Sequence, residues 1–172
     1  MKQDLKERIP VWAPVLPVTV LSCVFLVLLF SRYILRWYDV ETCLGIPIII
    51  RYSIGLLFIG IGLLYYGWGF KDLKPAGTVG CAKSLRDKGA YGLTRNPMYF
   101  GGNAMFWGTA IVLDNLVLLL AACIWLFGNY LVIVLWEEKQ LIRKFGQEYV
   151  EYKRWVPRFF PVNLRKRKSH EV

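Results

Sequence analysis

Forty consecutive residues, Pro97 to Trp136, contain one side chain that is charged at neutral pH, Asp114. As a helix rising 1.5 Å per residue, such a stretch is about 60 Å long, roughly twice the 30 Å hydrocarbon core of a bilayer. Asp114 and its neighbour Asn115 stand near the middle, where a turn is needed. The expectation is a helical hairpin of two membrane spans that turns at this pair. Polar sequence flanks the hairpin on both sides: GAYGLTRNPMY before it and EEKQLIRKFGQEYVEYKRWVPRFFP after it. Folding the chain back brings both flanks to one membrane face, so Arg95 emerges beside Glu137 and Glu138.

Two further runs carry no Lys, Arg, Asp or Glu: Ile9 to Ser31 and Tyr52 to Phe70. With 56% hydrophobic residues and a mean hydropathy of +0.39, the chain is too apolar for a soluble domain of its 172 residues. The fold expected is therefore an all-α integral membrane protein with four transmembrane helices, near 10–31, 47–70, 97–113 and 115–136. The first run is too long for the core of a signal peptide and has no small-residue cleavage site after it, so it is expected to stay as an anchor.

The net charge of +10 does not point to nucleic acid. Basic residues gather in Lys71–Arg95 and in the tail from Lys139 to Lys168, two segments that share a side in a four-span chain. The positive-inside rule puts them in the cytosol with both termini. There the Arg165-Lys166-Arg167-Lys168 run would meet anionic lipid headgroups. The four cysteines show no metal-binding spacing, and His170 is the single histidine. Histidine-ligated haem, iron or copper and a Ser-His-Asp triad are thus excluded for this chain alone, and no metal is expected.

The chain reads as one membrane domain over 1–172, with two N-terminal spans in 1–70, a polar and hairpin region in 71–161 and a basic tail in 162–172. The second span places Gly55, Gly62 and Gly69 in a heptad row, with Gly60 and Gly67 in another nearby. Small residues in lipid let helix backbones approach, so the rows predict a packing face or a face kept small for a lipid chain. Arg51, at the start of this span, is expected to snorkel to the interface. Lys71–Thr94 is longer than a connection requires and would lie over the cytosolic mouth of the bundle. After Trp136, Leu141, Ile142, Phe145, Tyr149, Tyr152 and Trp155 recur at three- and four-residue steps, which predicts an interfacial amphipathic helix ended by Pro157.

Three groups can carry chemistry at the hairpin mouth. Arg95 precedes Asn96-Pro97, where proline suits a helix's first turn, asparagine suits its cap, and the guanidinium can hold a carboxylate. Glu137 and Glu138 close the return helix. In an α-helix they face about 100° apart, so at most one points at Arg95. Each alone is also what an ordinary interfacial anchor looks like, and Tyr91 and Tyr99 fit an aromatic belt.

Taken together, the segment resembles the integral-membrane methyltransferases that include isoprenylcysteine carboxyl methyltransferases and phospholipid N-methyltransferases. The matching residues are Gly89-x-Tyr91, Arg95-Asn96-Pro97-x-Tyr99-x-Gly101, the apolar hairpin, Glu137-Glu138-x-x-Leu141-x-x-x-Phe145-Gly146-x-x-Tyr149-x-x-Tyr152, and Val156-Pro157-Arg158 followed by Pro161. They span 71–161. The resemblance implies S-adenosylmethionine as methyl donor, held at the cytosolic end of the last spans, and a lipidic or hydrophobic acceptor arriving from the bilayer. By the same resemblance Tyr91, Arg95, Asn96, Pro97, Tyr99, Glu137 and Glu138 are cofactor-site candidates. Arg95, Glu138 and Arg158 become the catalytic and acceptor-positioning candidates.

The family pattern usually has histidine where this chain has Asn96, so a titrating base is absent at that position. Methyl transfer tolerates this, because the sulfonium is already activated and the protein chiefly aligns donor and acceptor. A carboxylate or thiolate acceptor is its own nucleophile, which favours it over an amine. Two other functions fit parts of the pattern. Membrane sterol reductases, which use a nicotinamide cofactor, share a similar arginine–proline–tyrosine signature on a larger fold. A non-catalytic membrane scaffold or carrier would keep the hairpin and tolerate Asn96.

Overall fold

The computed structural model describes residues 22–30, 46–73, 85 and 87–160, and every regular element among them is helical. The elements are a helical segment over 22–30 (α1), α2 (Ile48–Leu73), a single turn α3 (Ala90–Leu93), α4 (Pro97–Leu113), α5 (Leu116–Val132), a π-helical turn Ile133–Glu137, α6 (Glu138–Phe145) and α7 (Gln147–Trp155). The remainder of the first expected span, Arg32, Arg36, Cys43, Pro75, Gly77, Gly80, Cys81, the basic tail and His170 lie outside the described residues.

Among the described residues two helices are long and apolar enough to cross a membrane: Ile48–Leu73 and the continuous Leu116–Phe145. Their large apolar side chains point outward, with Ile49 77%, Ile124 62% and Phe127 64% exposed. Much of what they enclose is small or polar: Gly55, Gly62, Gly101, Ala104, Gly108, Ala110, Ala122, Asn103 and Asn129 are buried, beside the larger Leu118, Trp125 and Ile133. An apolar exterior around a small and polar interior suits a lipid solvent, where packing and satisfied backbone groups hold helices together.

The glycine heptad is the axis of this packing. A Cβ on Gly62 would lie 2.7 Å from the Gly101 carbonyl oxygen, and one on Gly101 would lie 2.6 Å from the Gly62 carbonyl oxygen. Two turns further on, a Cβ on Gly108 would lie 2.6 Å from the Gly55 carbonyl oxygen, and one on Gly69 would lie 3.0 Å from the Pro97 ring. Both backbones approach as closely as helices can, and only glycine on both sides permits it. Gly60 and Gly67, in contrast, would meet nothing within 4 Å. The two expected rows therefore separate: one packs α2 against α4, and the other faces open space.

Arg51 does not simply snorkel. Its guanidinium donates to the Asp114 carboxylate at 2.7 Å, so the start of α2 is tied to the end of α4. Asp114 takes a left-handed conformation (φ 48°) that ends α4, a conformation aspartate tolerates better than most residues. Asn115 then caps α5 by accepting from the Leu118 amide at 3.0 Å. The turn thus falls at the pair expected. Next to it Phe25 of α1 stacks on Phe106 (4.3 Å between centroids), and Phe106 meets Trp125 edge-on at 4.5 Å.

The single amphipathic helix expected after Trp136 is two shorter ones. The helix of α5 continues through the π-turn to Phe145, and Gly146, at φ 57° and ψ −128°, breaks it before α7. The expected apolar stripe also divides. Tyr149, Tyr152 and Val156 are buried with Leu141, Phe145 and Leu85, while Ile142 and Trp155 stay exposed.

Candidate functional site

The site forms where α3, the start of α4, the π-turn and the segment after α7 converge. Three consecutive residues grip the chain's later segment. Thr94 Oγ1 and Asn96 Nδ2 both donate to the Arg158 carbonyl, at 2.9 and 3.0 Å, and the Arg95 amide donates to the Pro157 carbonyl at 2.9 Å. Asn96 occupies the N-cap position of α4, but its side chain makes no capping bond. The expectation of a capping amide is corrected: the amide serves as a tether, and a longer-range one.

That tether sets Arg158 onto Glu138. Arg158 Nε and Nη2 donate to the two Glu138 oxygens at 2.8 and 3.1 Å, and Arg95 Nη1 donates to Glu138 Oε1 at 2.8 Å. The side chains of Arg95 and Glu138 are 9% and 8% exposed, so this triad is largely shielded from solvent. Two guanidiniums on one carboxylate leave the cluster with one unit of positive charge. The hydrogen bond to Glu138 raises the Arg158 pKa still further, so the charge is permanent near neutrality. Tyr130 lies beneath the Arg158 guanidinium at 5.5 Å, and Phe159 stacks near Tyr130.

The two glutamates divide as α-helical spacing allows, but the π-turn decides which goes where. The buried stripe of α5 runs Leu118, Ala122, Trp125, Asn129, Ile133, and its next buried member is Glu138, five residues on. In an α-helix five residues amount to 500°, leaving Glu138 about 140° off that stripe. The wider π-turn restores it to the buried face, and π-turns recur at functional sites for this kind of reason. Glu137 instead turns toward Tyr99, with which it shares a hydrogen bond, and toward Tyr91. Its Oε2 is buried without a partner, as are Arg95 Nε and Gln140 Nε2.

Tyr91 and Tyr152 complete the wall. Tyr152 donates its hydroxyl to the Tyr91 carbonyl at 2.7 Å, and burial raises the pKa of both phenols, with Glu137 and Asp72 adding to the shift at Tyr91. Burial also raises Tyr149, against the opposing influence of Arg95. All three remain protonated donors at neutral pH. Among the described residues no three His, Cys, Asp or Glu side chains gather in a way that could hold a metal ion.

The structure brings together Tyr91, Arg95, Asn96, Pro97, Tyr99, Glu137, Glu138 and Arg158. Pro97 is the buried first residue of α4, packed on Gly69. Sequence reasoning passed over Asp72, at the end of α2, whose Oδ2 accepts from the Ala90 amide at 2.8 Å and so anchors α3. It also passed over Thr94 and Gln140, and it placed Tyr149 and Tyr152 on a lipid-facing stripe. Thr94 adjoins the motif and was within reach. The partner of Asp72 and the burial of Gln140 are set by tertiary contacts and leave no local pattern.

Gly89 gives a direct check on this frame. Its φ of 63° and ψ of −134° belong to glycine, and a Cβ there would run into the Asp72 carboxylate. Gly89→Ala is expected to lower stability by about 1–3 kcal/mol, since a strained backbone and a displaced anchor coincide. Thermal unfolding of the detergent-solubilised protein measures it, and an unchanged midpoint would contradict the assigned contact.

The profile of the phospholipid methyltransferase family matches residues 50–148. The match begins in α2, upstream of the 71–161 region marked by the motifs, and so takes in the glycine heptad. The chain is 30% identical over 175 aligned residues to the methanethiol S-methyltransferase of Pseudomonas deceptionensis, covering 87% of this chain and 63% of that protein. It is 31% identical over 96 residues to methanethiol S-methyltransferase 2 of Bradyrhizobium diazoefficiens, covering 55% and 36%. The chain therefore spans less than two thirds of the length of either relative. No solved structure matches it.

Proposed function

The chain belongs to the phospholipid methyltransferase family of integral-membrane methyltransferases, and from that premise we propose that it transfers the methyl group of S-adenosylmethionine to a small lipidic or hydrophobic acceptor at the cytosolic membrane face. The observation that carries this reading is the pairing of opposite charges at the hairpin mouth. A cluster of two arginines and one glutamate bears net positive charge. One helical step away, Glu137 holds a buried carboxylate oxygen with no partner.

The residues present fit the donor. Its amino acid end is a zwitterion: the carboxylate suits the Arg95–Arg158 cluster, where Arg95 Nε has no partner, and the ammonium suits Glu137 Oε2. Tyr91, Tyr99 and Gln140 offer further hydrogen bonds to its hydroxyls and ring. When bound, the sulfonium supplies an activated methyl group. The chain's own share is to orient it, to exclude water with α7 and the segment 156–160, and to offer the acceptor a path from lipid. Asn96, spent on the Arg158 carbonyl, acts here as a tether, so the absent histidine takes no base from the reaction.

The topology that serves this is four spans in one membrane domain with both termini cytosolic, α4 crossing as the third and the basic tail on anionic headgroups. α4 has 17 residues, about 25 Å of rise, which nearly matches the hydrocarbon core. The relatives named for methanethiol draw attention to a small thiol as acceptor, in line with the preference for a nucleophile that sheds its proton readily.

Calorimetric titration of the purified protein with S-adenosylhomocysteine tests the proposal. Binding is expected, and Glu137→Gln is expected to weaken it about 10- to 100-fold, the range for losing a hydrogen bond to a charged group. Binding of a reduced nicotinamide in its place would favour a reductase. Binding of neither would favour a scaffold.

A further inference from the structure

Four buried asparagines line the interior of α4 and α5, and they fall into two kinds. Asn96 and Asn115 are matched to backbone, through the Arg158 carbonyl and the Leu118 amide. Asn103 and Asn129 are not. Asn129 is 0% exposed, and neither its Nδ2 nor its Oδ1 has a partner. Asn103 gives its Nδ2 to the Tyr99 carbonyl at 2.7 Å, but its Oδ1 has no partner. One turn before Asn129, the Nε1 of buried Trp125 is unpaired as well. These groups share one stretch of the helix pair. They run from the Phe106–Trp125 contact, midway along the hairpin, to just below the Tyr99–Glu137 contact at its mouth.

Polar atoms left without partners at hydrocarbon depth are costly, so such a set signals a bound partner. Its chemistry specifies that partner. Asn129 Nδ2 and Trp125 Nε1 donate, Asn129 Oδ1 and Asn103 Oδ1 accept, and none of them carries charge. Between Pro97 and Trp136 the single charged residue, Asp114, is paired with Arg51 at the opposite rim. An ammonium or phosphate headgroup would find no counter-charge here, whereas an uncharged group with one acidic hydrogen would be matched on both its donor and acceptor sides. There is also a way in. Gly102, beside Asn103, is partly exposed, and a Cβ on it would meet nothing within 4 Å.

We propose that Asn129, Asn103 and Trp125 form an intramembrane subsite for the methyl acceptor, that the acceptor is a small neutral molecule with a single S–H or O–H group, and that it enters from the bilayer past Gly102. This rests on the methyltransferase reading and narrows its substrate class. Asn103 stands one helical turn, about 6 Å of rise, below Tyr99. An acceptor held there lies on the lipid side of the proposed donor site: its sulfur or oxygen bonds the methyl carbon as the donor's S–CH3 bond breaks, S-adenosylhomocysteine is left, and the acceptor's proton passes to water at the hairpin mouth.

Two measurements test it. Protein carrying nitrogen-15 in asparagine side chains and tryptophan indoles, titrated with ethanethiol in detergent micelles, is expected to shift the resonances of Asn129, Asn103 and Trp125. Phosphatidylethanolamine or choline is expected to leave them in place. In steady-state methylation of ethanethiol, Asn129→Leu is expected to raise KM about tenfold or more, the effect of one lost hydrogen bond or more. Trp125→Phe keeps the ring and removes only the N–H, so it guards against misfolding, and Gly102→Leu fills the opening; each is expected to raise KM in the same direction. S-adenosylhomocysteine affinity is expected to stay at its original value in all three variants. Unmoved resonances with ethanethiol, an unchanged KM in all three, or shifts produced by the charged headgroup would each overturn the subsite. If S-adenosylhomocysteine itself failed to bind the unaltered protein, the methyltransferase reading would fail first, whatever the resonances did with ethanethiol.

Discussion

Glu138→Ala is expected to destabilise the protein by about 3 kcal/mol and to abolish binding of S-adenosylhomocysteine. The carboxylate of Glu138 accepts from two guanidiniums at 2.8 to 3.1 Å, in a cluster where Arg95 and Glu138 are almost fully shielded. Removing it leaves two like charges facing each other with no counter-ion, the costly way to break a buried pair. Arg158 is 29% exposed and can swing toward water, which keeps the loss toward the lower end of the usual range. Glu138→Gln keeps an acceptor oxygen and the side-chain shape, so an intermediate loss is expected. Arg158→Ala leaves the Arg95–Glu138 pair intact and should cost least. Thermal unfolding in detergent, read beside calorimetric titration, ranks the three. A Glu138→Ala protein that melts and binds like the original would show that the cluster is incidental.

The second large effect lies in the glycine heptad. Gly62→Val and Gly101→Val each place a branched side chain against the opposite backbone: a Cβ on Gly62 meets the Gly101 carbonyl oxygen at 2.7 Å as well as the Met105 side chain at 2.6 Å, and one on Gly101 meets the Gly62 carbonyl oxygen and the Tyr66 amide at 2.6 Å. Backbone cannot swing aside as a side chain can, so α2 and α4 must part. A loss of about 3 kcal/mol or more is expected, at or beyond the top of the range for overpacking. Separation also moves Asp72 at the end of α2, and with it the Ala90 anchor beside Tyr91, so donor affinity should fall together with stability. Gly60→Val and Gly67→Val are the internal control: both sit on the same helix, and both face open space. Their effect is expected to stay near the propensity difference of a few tenths of a kcal/mol. Equal losses in both rows would mean that α2 does not pack on α4 through this face.

Much of the molecule could be read before it was seen. A forty-residue run with one charge implied a hairpin, and the αL-tolerant Asp114 with the capping Asn115 marked its turn, because both signals are local. The glycine heptad announced a close helix contact for the same reason. Other features resisted. Arg51 looked like an anchor, since its partner is 63 residues away. The stripe after Trp136 looked like one lipid-facing helix, because periodicity tells which residues share a face and not whether protein or lipid covers it. The break at Gly146 was visible only as a glycine among many.

The chain's own order of residues determined that it lives in a bilayer and folds back on itself, and it set which side chains would gather at one end, because hydrophobic run length and turn chemistry are properties of neighbouring residues. Only the tertiary structure decided which glutamate meets Arg95 and what Asn96 does. The first depends on a π-turn that changes the helical phase between Ile133 and Glu138 by about one residue, roughly 100°. The second depends on a carbonyl 62 residues further along, brought within 3.0 Å by the closure of α7. Both are matters of rotation and long-range contact, which spacing along a chain does not encode.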